Sequence, residues 1–121
     1  MGSPITWDIN FPPLNLWNYS SMKKLIYIID IDGTIVDSKG SDYRSAKPFT
    51  KRIEKVNKLF DEGNRIVYWT ARGATSGIDW YAFTEKQLEE FGCKYHELHT
   101  KKPHYNVWVD DKAVNAKDFF A

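Results

Sequence analysis

Apolar runs that end in acids or hydroxyls recur along this chain, separated by helical stripes. The first, Lys24 to Ile29, has no polar alternation and stops at Asp30-Ile31-Asp32-Gly33-Thr34. A strand apolar on both faces is one buried in a parallel sheet. Residues 33–47 are rich in Gly and Ser and read as a turn-rich flap. Pro48 then opens a helix, with Phe49, Ile53, Val56 and Phe60 on one 3.6-residue stripe and Gly63-Asn64 as its stop. Arg65 to Trp69 is a second strand, stopping at Thr70-Ala71-Arg72-Gly73. Asp79 caps a helix running to about Phe91, with Trp80, Phe83, Leu88 and Phe91 inward and Gly92 ending it. Lys94 to Leu98 predicts a third strand, Val107 to Val109 a fourth ending at Asp110-Asp111, and Asn115 to Phe120 a short final helix. Strands alternating with helices imply right-handed crossovers and a parallel α/β sheet. No hairpin turn signal favours an α+β meander.

Residues 1–21 follow other rules. Pro4, Pro12 and Pro13 break regular structure, yet Trp7, Phe11, Leu14, Leu16, Trp17 and Tyr19 are too apolar for a solvated tail. The expected organisation is an arm over 1–21 and one domain over 22–121. The arm should lie extended against its own domain or a neighbouring subunit, which makes it the expected contact of any homo-oligomer. A chain of 121 residues supports one core and not two. Seventeen basic against sixteen acidic residues give +1, so no bulk charge draws the chain to nucleic acid. No apolar stretch reaches the roughly 20 residues of a membrane span, and no signal pattern opens the chain. Cys93 is alone and cannot pair within the chain. These features predict a cytoplasmic protein that uses no membrane.

In a parallel sheet the strand tips share one edge, which is where such sheets bind ligands. Asp30/Asp32, Thr70/Arg72 and Asp110/Asp111 should therefore converge, with Lys101 or Lys102 just upstream of the last strand. Four crowded carboxylates repel unless a cation neutralises them. Oxygen-only ligands in a small site favour Mg²⁺.

These residues resemble the phosphatases of the haloacid dehalogenase-like superfamily over about residues 24–120. The family's Asp-x-Asp-Gly-Thr after an apolar strand stands here as Asp30 to Thr34. Its Ser or Thr closing the next motif strand is Thr70, its lysine is Lys102 before Pro103, and its paired acid is Asp110-Asp111. The resemblance implies a three-layer Rossmann-like core and phosphomonoester hydrolysis. Asp30 would be the nucleophile, and Asp32 the acid and then the base. Thr70 and the Ala71 amide would hold the phosphoryl group, and Lys102 would balance its charge. Asp30, the Asp32 carbonyl, Asp110 and Asp111 would hold Mg²⁺. Thr34 and Arg72 join Ala71 as substrate contacts. Asp32 favours phosphatase or mutase chemistry, and the chain has no room for the cap domain that mutases use to exclude water. The stretch from Thr70 to Trp80 resembles small capless members associated with capsule or surface-sugar biosynthesis, implying a small phosphorylated substrate, a sugar phosphate. Asp42, Tyr43, Arg44, Trp80 and Tyr81 are further contacts for it.

The plainer readings are that Arg72 makes a structural salt bridge, that His96, His99 and His104 serve surface or packing roles, and that Cys93 is a small buried hydrophobe. Two competing functions are a nucleotide or polynucleotide-end phosphatase, and a non-catalytic assembly module working through the arm.

Overall fold

The computed structural model describes residues 24–121. The arm expected over 1–21 lies outside the described residues. The run after Lys24 forms strand β1 (Ile26–Ile29), and Arg65–Trp69 forms β4, its parallel neighbour, with Ile28 beside Val67 and Ile29 beside Tyr68. Strand β5 (Glu97–His99) lies parallel on the far side of β4, giving the order β1-β4-β5. Helix α1 (Thr50–Asp61) carries the chain from β1 toward β4, and α2 (Tyr81–Glu90) carries it from β4 to β5. Helix α3 (Ala116–Phe119) closes the described chain, with the Asn115 side chain capping it by accepting from the Lys117 N–H.

Both crossovers step in the same direction across the sheet. Right-handed connections then put both helices on one face. That face carries Ile29, Ile66, Tyr68 and Leu98, which pack with Ile53 and Val56 of α1 and Leu88 of α2. Each fully buried Ile or Leu there stabilises the fold by roughly 2 kcal/mol. Asn64 fastens the α1–β4 turn to β1, accepting from the Leu25 N–H at 3.0 Å and donating to the Leu59 carbonyl at 2.9 Å.

Three expectations are corrected. The flap over 33–47 is an antiparallel hairpin, β2 (Val36–Lys39) with β3 (Asp42–Pro48), making the described fold mixed rather than purely parallel. Gly40-Ser41 is its two-residue loop. Gly40 has φ of 59° and Ser41 is not among the positive-φ residues, the pattern of a II′ turn led by glycine. Pro48 ends β3 opposite Val36 instead of opening α1, because the Phe49 N–H is drawn to the Ile35 carbonyl at 2.8 Å. The third correction concerns 107–109, which form no strand. Trp108 meets both Tyr105 and Trp69 edge-on, leaving Val107 and Val109 78% and 90% exposed. Among the described residues, then, the sheet has three parallel strands and one helical layer. No helix among them is long and apolar enough to cross a membrane.

Candidate active site

The chain leaves β1 through Asp30 and turns sharply, with the Ile31 carbonyl accepting from the Thr34, Ile35 and Val36 N–H groups at 3.0, 2.9 and 3.2 Å. Ile31, which lies between the two acids, is fully buried. That anchor leaves Asp30 and Asp32 at the sheet edge, each with a different set of partners.

Asp30 is held through both oxygens. The Thr34 hydroxyl donates to Oδ2 at 3.0 Å, and Lys102 Nζ approaches Oδ1 at 3.3 Å. The Lys102 side chain is 10% exposed, its ammonium lying over the rings of Tyr105 and Trp108 at 5.3 and 5.6 Å. Backbone geometry sends Lys101 and Lys102 in different directions. Lys101 has φ of 69°, the left-handed region, so the chain twists between the two lysines. Lys102 turns to Asp30, while Lys101 is exposed and borders the opposite face of the sheet.

Asp32 accepts three hydrogen bonds. Ser38 Oγ donates to Oδ1 at 2.8 Å, and Arg72 makes a fork of Nε to Oδ2 at 2.9 Å and Nη2 to Oδ1 at 2.8 Å. The Arg72 side chain is fully buried. Its remaining arm, Nη1, donates to Thr84 Oγ1 on α2 at 3.1 Å, and the Tyr43 ring covers it at 4.6 Å. Arginine suits this position because its planar fork matches a carboxylate bidentately. Burial and then the Asp32 carboxylate push the Tyr43 phenol above its ordinary pKa, and the Arg72 guanidinium pulls it partly back.

Thr70 closes β4 and is buried. Its Oγ1 accepts from the Arg72 N–H at 3.1 Å, which leaves its own O–H free to donate. Its main chain accepts from the Lys102 N–H at 3.2 Å, so Thr70 and Lys102 are placed side by side. Gly73 follows at φ of 86°, and a Cβ there would meet the Ile78 carbonyl oxygen at 2.1 Å. Only glycine allows the 73–78 loop to fold so closely behind Arg72.

The hairpin docks on this loop. Gln87 Nε2 donates to the Tyr43 carbonyl at 2.8 Å, Tyr43 meets Trp80 edge-on at 4.9 Å, and Arg44 lies over Trp80 at 5.0 Å. Of the sequence-predicted residues, the structure thus gathers Asp30, Asp32, Thr34, Thr70, Arg72 and Lys102, with Ala71 between Thr70 and Arg72. Asp42 and Tyr81 are exposed.

Asp110 and Asp111 do not join them. Both are exposed, and Asp110 Oδ1 accepts from the Lys112 N–H at 2.8 Å. That amide, with a hydrogen bond from Asp111 next in importance, holds the Asp110 carboxyl below its ordinary pKa. Among the described residues no group of three or more His, Cys, Asp or Glu is placed to hold a metal ion. The arrangement therefore does not build the expected Mg²⁺ site, and the cations facing Asp30 and Asp32 are Lys102 and Arg72.

Ser38 and Thr84 escaped the sequence reading. Thr84 lies four residues after Trp80 and four before Leu88, a polar residue on an inward stripe, and that misfit was the available signal. His96 accepts from the Ile66 N–H at 3.1 Å and stacks on Phe60, while His99 pairs with Glu97, consistent with packing and surface roles. Burial pushes the Cys93 thiol up to about 12, as an inert core cysteine requires.

No family model matches the chain, and no curated protein does. Among solved structures, a structural-genomics target from Vibrio cholerae is similar, with a TM-score of 0.73 and 28% identity over 82% of this chain and 89% of that one. The α/β arrangement described above is shared with that protein across most of both chains.

Proposed function

We propose that this chain is a phosphomonoesterase of the haloacid dehalogenase-like type, with a capless Rossmann-like core, hydrolysing a small phosphorylated metabolite of the sugar-phosphate class. The observation that carries the reading is the pairing of Asp30 with Lys102 and Thr34, two positions from an Asp32 clamped by a buried Arg72. In this reading, two neighbouring acids given separate cations have separate tasks.

In this reading Asp30 attacks phosphorus and the ester oxygen leaves, taking a proton from Asp32. A water then attacks the aspartyl-phosphate, Asp32 takes the water's proton, and inorganic phosphate departs with Asp30 restored. Lys102 offsets the charge of the transferring group, and the free Thr70 hydroxyl donates to one of its oxygens. The Mg²⁺ implied by the sequence receives no step, since Asp110 and Asp111 stand apart from Asp30. Positioning and charge stabilisation dominate phosphoryl transfer, and in this reading Lys102 and Thr70 contribute to both.

Phosphate release from an aryl phosphate and a panel of sugar phosphates, by wild type and Asp30→Asn, tests the reading. Release by wild type that vanishes in the variant is expected. Equal inertness of the two across the panel would remove the proposal, and greater activity on a 3′-phosphorylated oligonucleotide would replace the substrate class.

A further inference from the structure

Lys102 opens a loop that folds back over its own side chain. Its main-chain N–H donates to the Thr70 carbonyl at 3.2 Å, which fixes the backbone beside the end of β4. Three and six residues later stand Tyr105 and Trp108, their ring centroids 5.3 and 5.6 Å from the Lys102 ammonium. The two rings meet at 4.9 Å, and Trp69, the last residue of β4, meets Trp108 at 5.9 Å. Trp69 is tied back to the same loop, donating from Nε1 to the Thr100 carbonyl at 3.2 Å. These contacts close a circuit around Lys102. Tyr105 and Trp108 are each 41% exposed, far less than Val107 and Val109, so the loop turns its rings inward and its valines out.

Asp30 by itself is a weak hold on this ammonium. The contact is one approach at 3.3 Å to a side chain that is 35% exposed. A single partly exposed ion contact gains little beyond the rotamer freedom that a lysine loses to make it. In the proposed reaction the hold weakens further, because phosphorylation of Asp30 turns its carboxylate into a neutral acyl linkage. The ring faces keep their hold, since the quadrupole that attracts a cation does not depend on Asp30. They also leave the ammonium's N–H donors free for phosphoryl oxygens. We propose that Tyr105 and Trp108 are positioning residues for Lys102, holding its ammonium at the reacting end of the site while Asp30 changes charge. This role rests on the phosphatase reading, in which Lys102 faces the transferring group.

Steady-state kinetics in two backgrounds test the role, together with NMR of the lysine side chains in the full chain. Tyr105→Leu with Trp108→Leu should lower kcat about ten-fold, the scale of a desolvated cation–π contact, with KM within about two-fold. Tyr105→Phe with Trp108→Phe keeps two ring faces and should recover kcat to within about three-fold of wild type. In Lys102→Ala, the same two leucines should lower kcat by less than about two-fold more, because no ammonium remains to be placed. An equal loss in both backgrounds would overturn the proposal, since the rings would then act on the fold or on substrate directly. The NMR measurement needs neither turnover nor a folded variant. Ring currents should move the wild-type Lys102 ε-methylene protons upfield of those of exposed Lys51. Active wild type with equal shifts for the two lysines would remove this role alone. Wild type inert toward the phosphate panel, with Lys102 shifted, would remove the phosphatase reading and this role with it.

Discussion

The tip of β1 and the segment 103–114 both carry paired acids after an apolar run, yet only the first is organised. Asp32 is held by Ser38 from the hairpin and by Arg72 from beyond β4, and Arg72 is itself held by Thr84 of α2 and covered by Tyr43. Asp110 finds its partner two residues away, in the Lys112 amide. Contacts from distant parts of the chain fix a carboxylate in one place because each depends on the whole fold. Local contacts satisfy it wherever the segment happens to lie. The difference teaches that an acid pair becomes a site through what the rest of the chain brings to it.

Substitutions can break this contrast, and the largest effect belongs to Asp30. Asp30→Asn should lower phosphate release by at least about 10⁴-fold, as removal of a nucleophile does. Next comes the lysine pair. Lys102→Ala should cost roughly 10²- to 10³-fold in kcat, the scale of losing one preorganised charge. Lys101→Ala, on an exposed side chain, should remain within about three-fold; a reversed order would show that the twist at Lys101 is misassigned.

Arg72→Ala should show in stability as well as rate. Removing one partner of a buried ion pair costs roughly 3 kcal/mol, which for a domain of this size lowers Tm by about 15 °C. Thr84→Val leaves the fork on Asp32 in place but loosens its far arm. We expect about a ten-fold loss of kcat with KM little changed. A kcat identical to wild type would reduce Thr84 to a packing residue.

The smallest effect should be at Asp110. With its carboxylate turned to Lys112, Asp110→Asn should leave phosphate release within about three-fold of wild type, as for other exposed side chains. A loss on the scale of Asp30→Asn would erase the contrast between the two regions. It would mean that 103–114 closes onto Asp30 during turnover and completes the acid set implied by the sequence.

What was legible in the sequence follows the same division. The strands at 26–29 and 65–69 and the α1 stripe were readable because burial repeats at a fixed period along each segment. Asp30, Thr70 and Lys102 were readable as motif residues, though choosing Lys102 over Lys101 from the chain's own chemistry needed the backbone twist. The hairpin carried a usable signal in Gly40-Ser41 flanked by Lys39 and Asp42, a two-residue loop led by glycine, and it was read only as flap. The failed strand at 107–109 shows the limit of a short apolar run. Trp108 meets Trp69 and, with Tyr105, lies under the Lys102 ammonium, contacts that a period-two reading of 107–109 does not anticipate. The clamp of Asp32 by Arg72 could not be read at all, since forty residues separate them and their pairing depends on how the hairpin, the loop after β4 and α2 pack.

In the proposed reaction Asp30 carries the phosphoryl group. Acid-quenched turnover of an aryl phosphate, followed by peptide mapping by mass spectrometry, tests it directly. Wild type should yield a phosphorylated peptide with the modification on Asp30, and Asp30→Asn should yield none. A phosphoryl group on any other residue, or turnover that persists in Asp30→Asn, would contradict it.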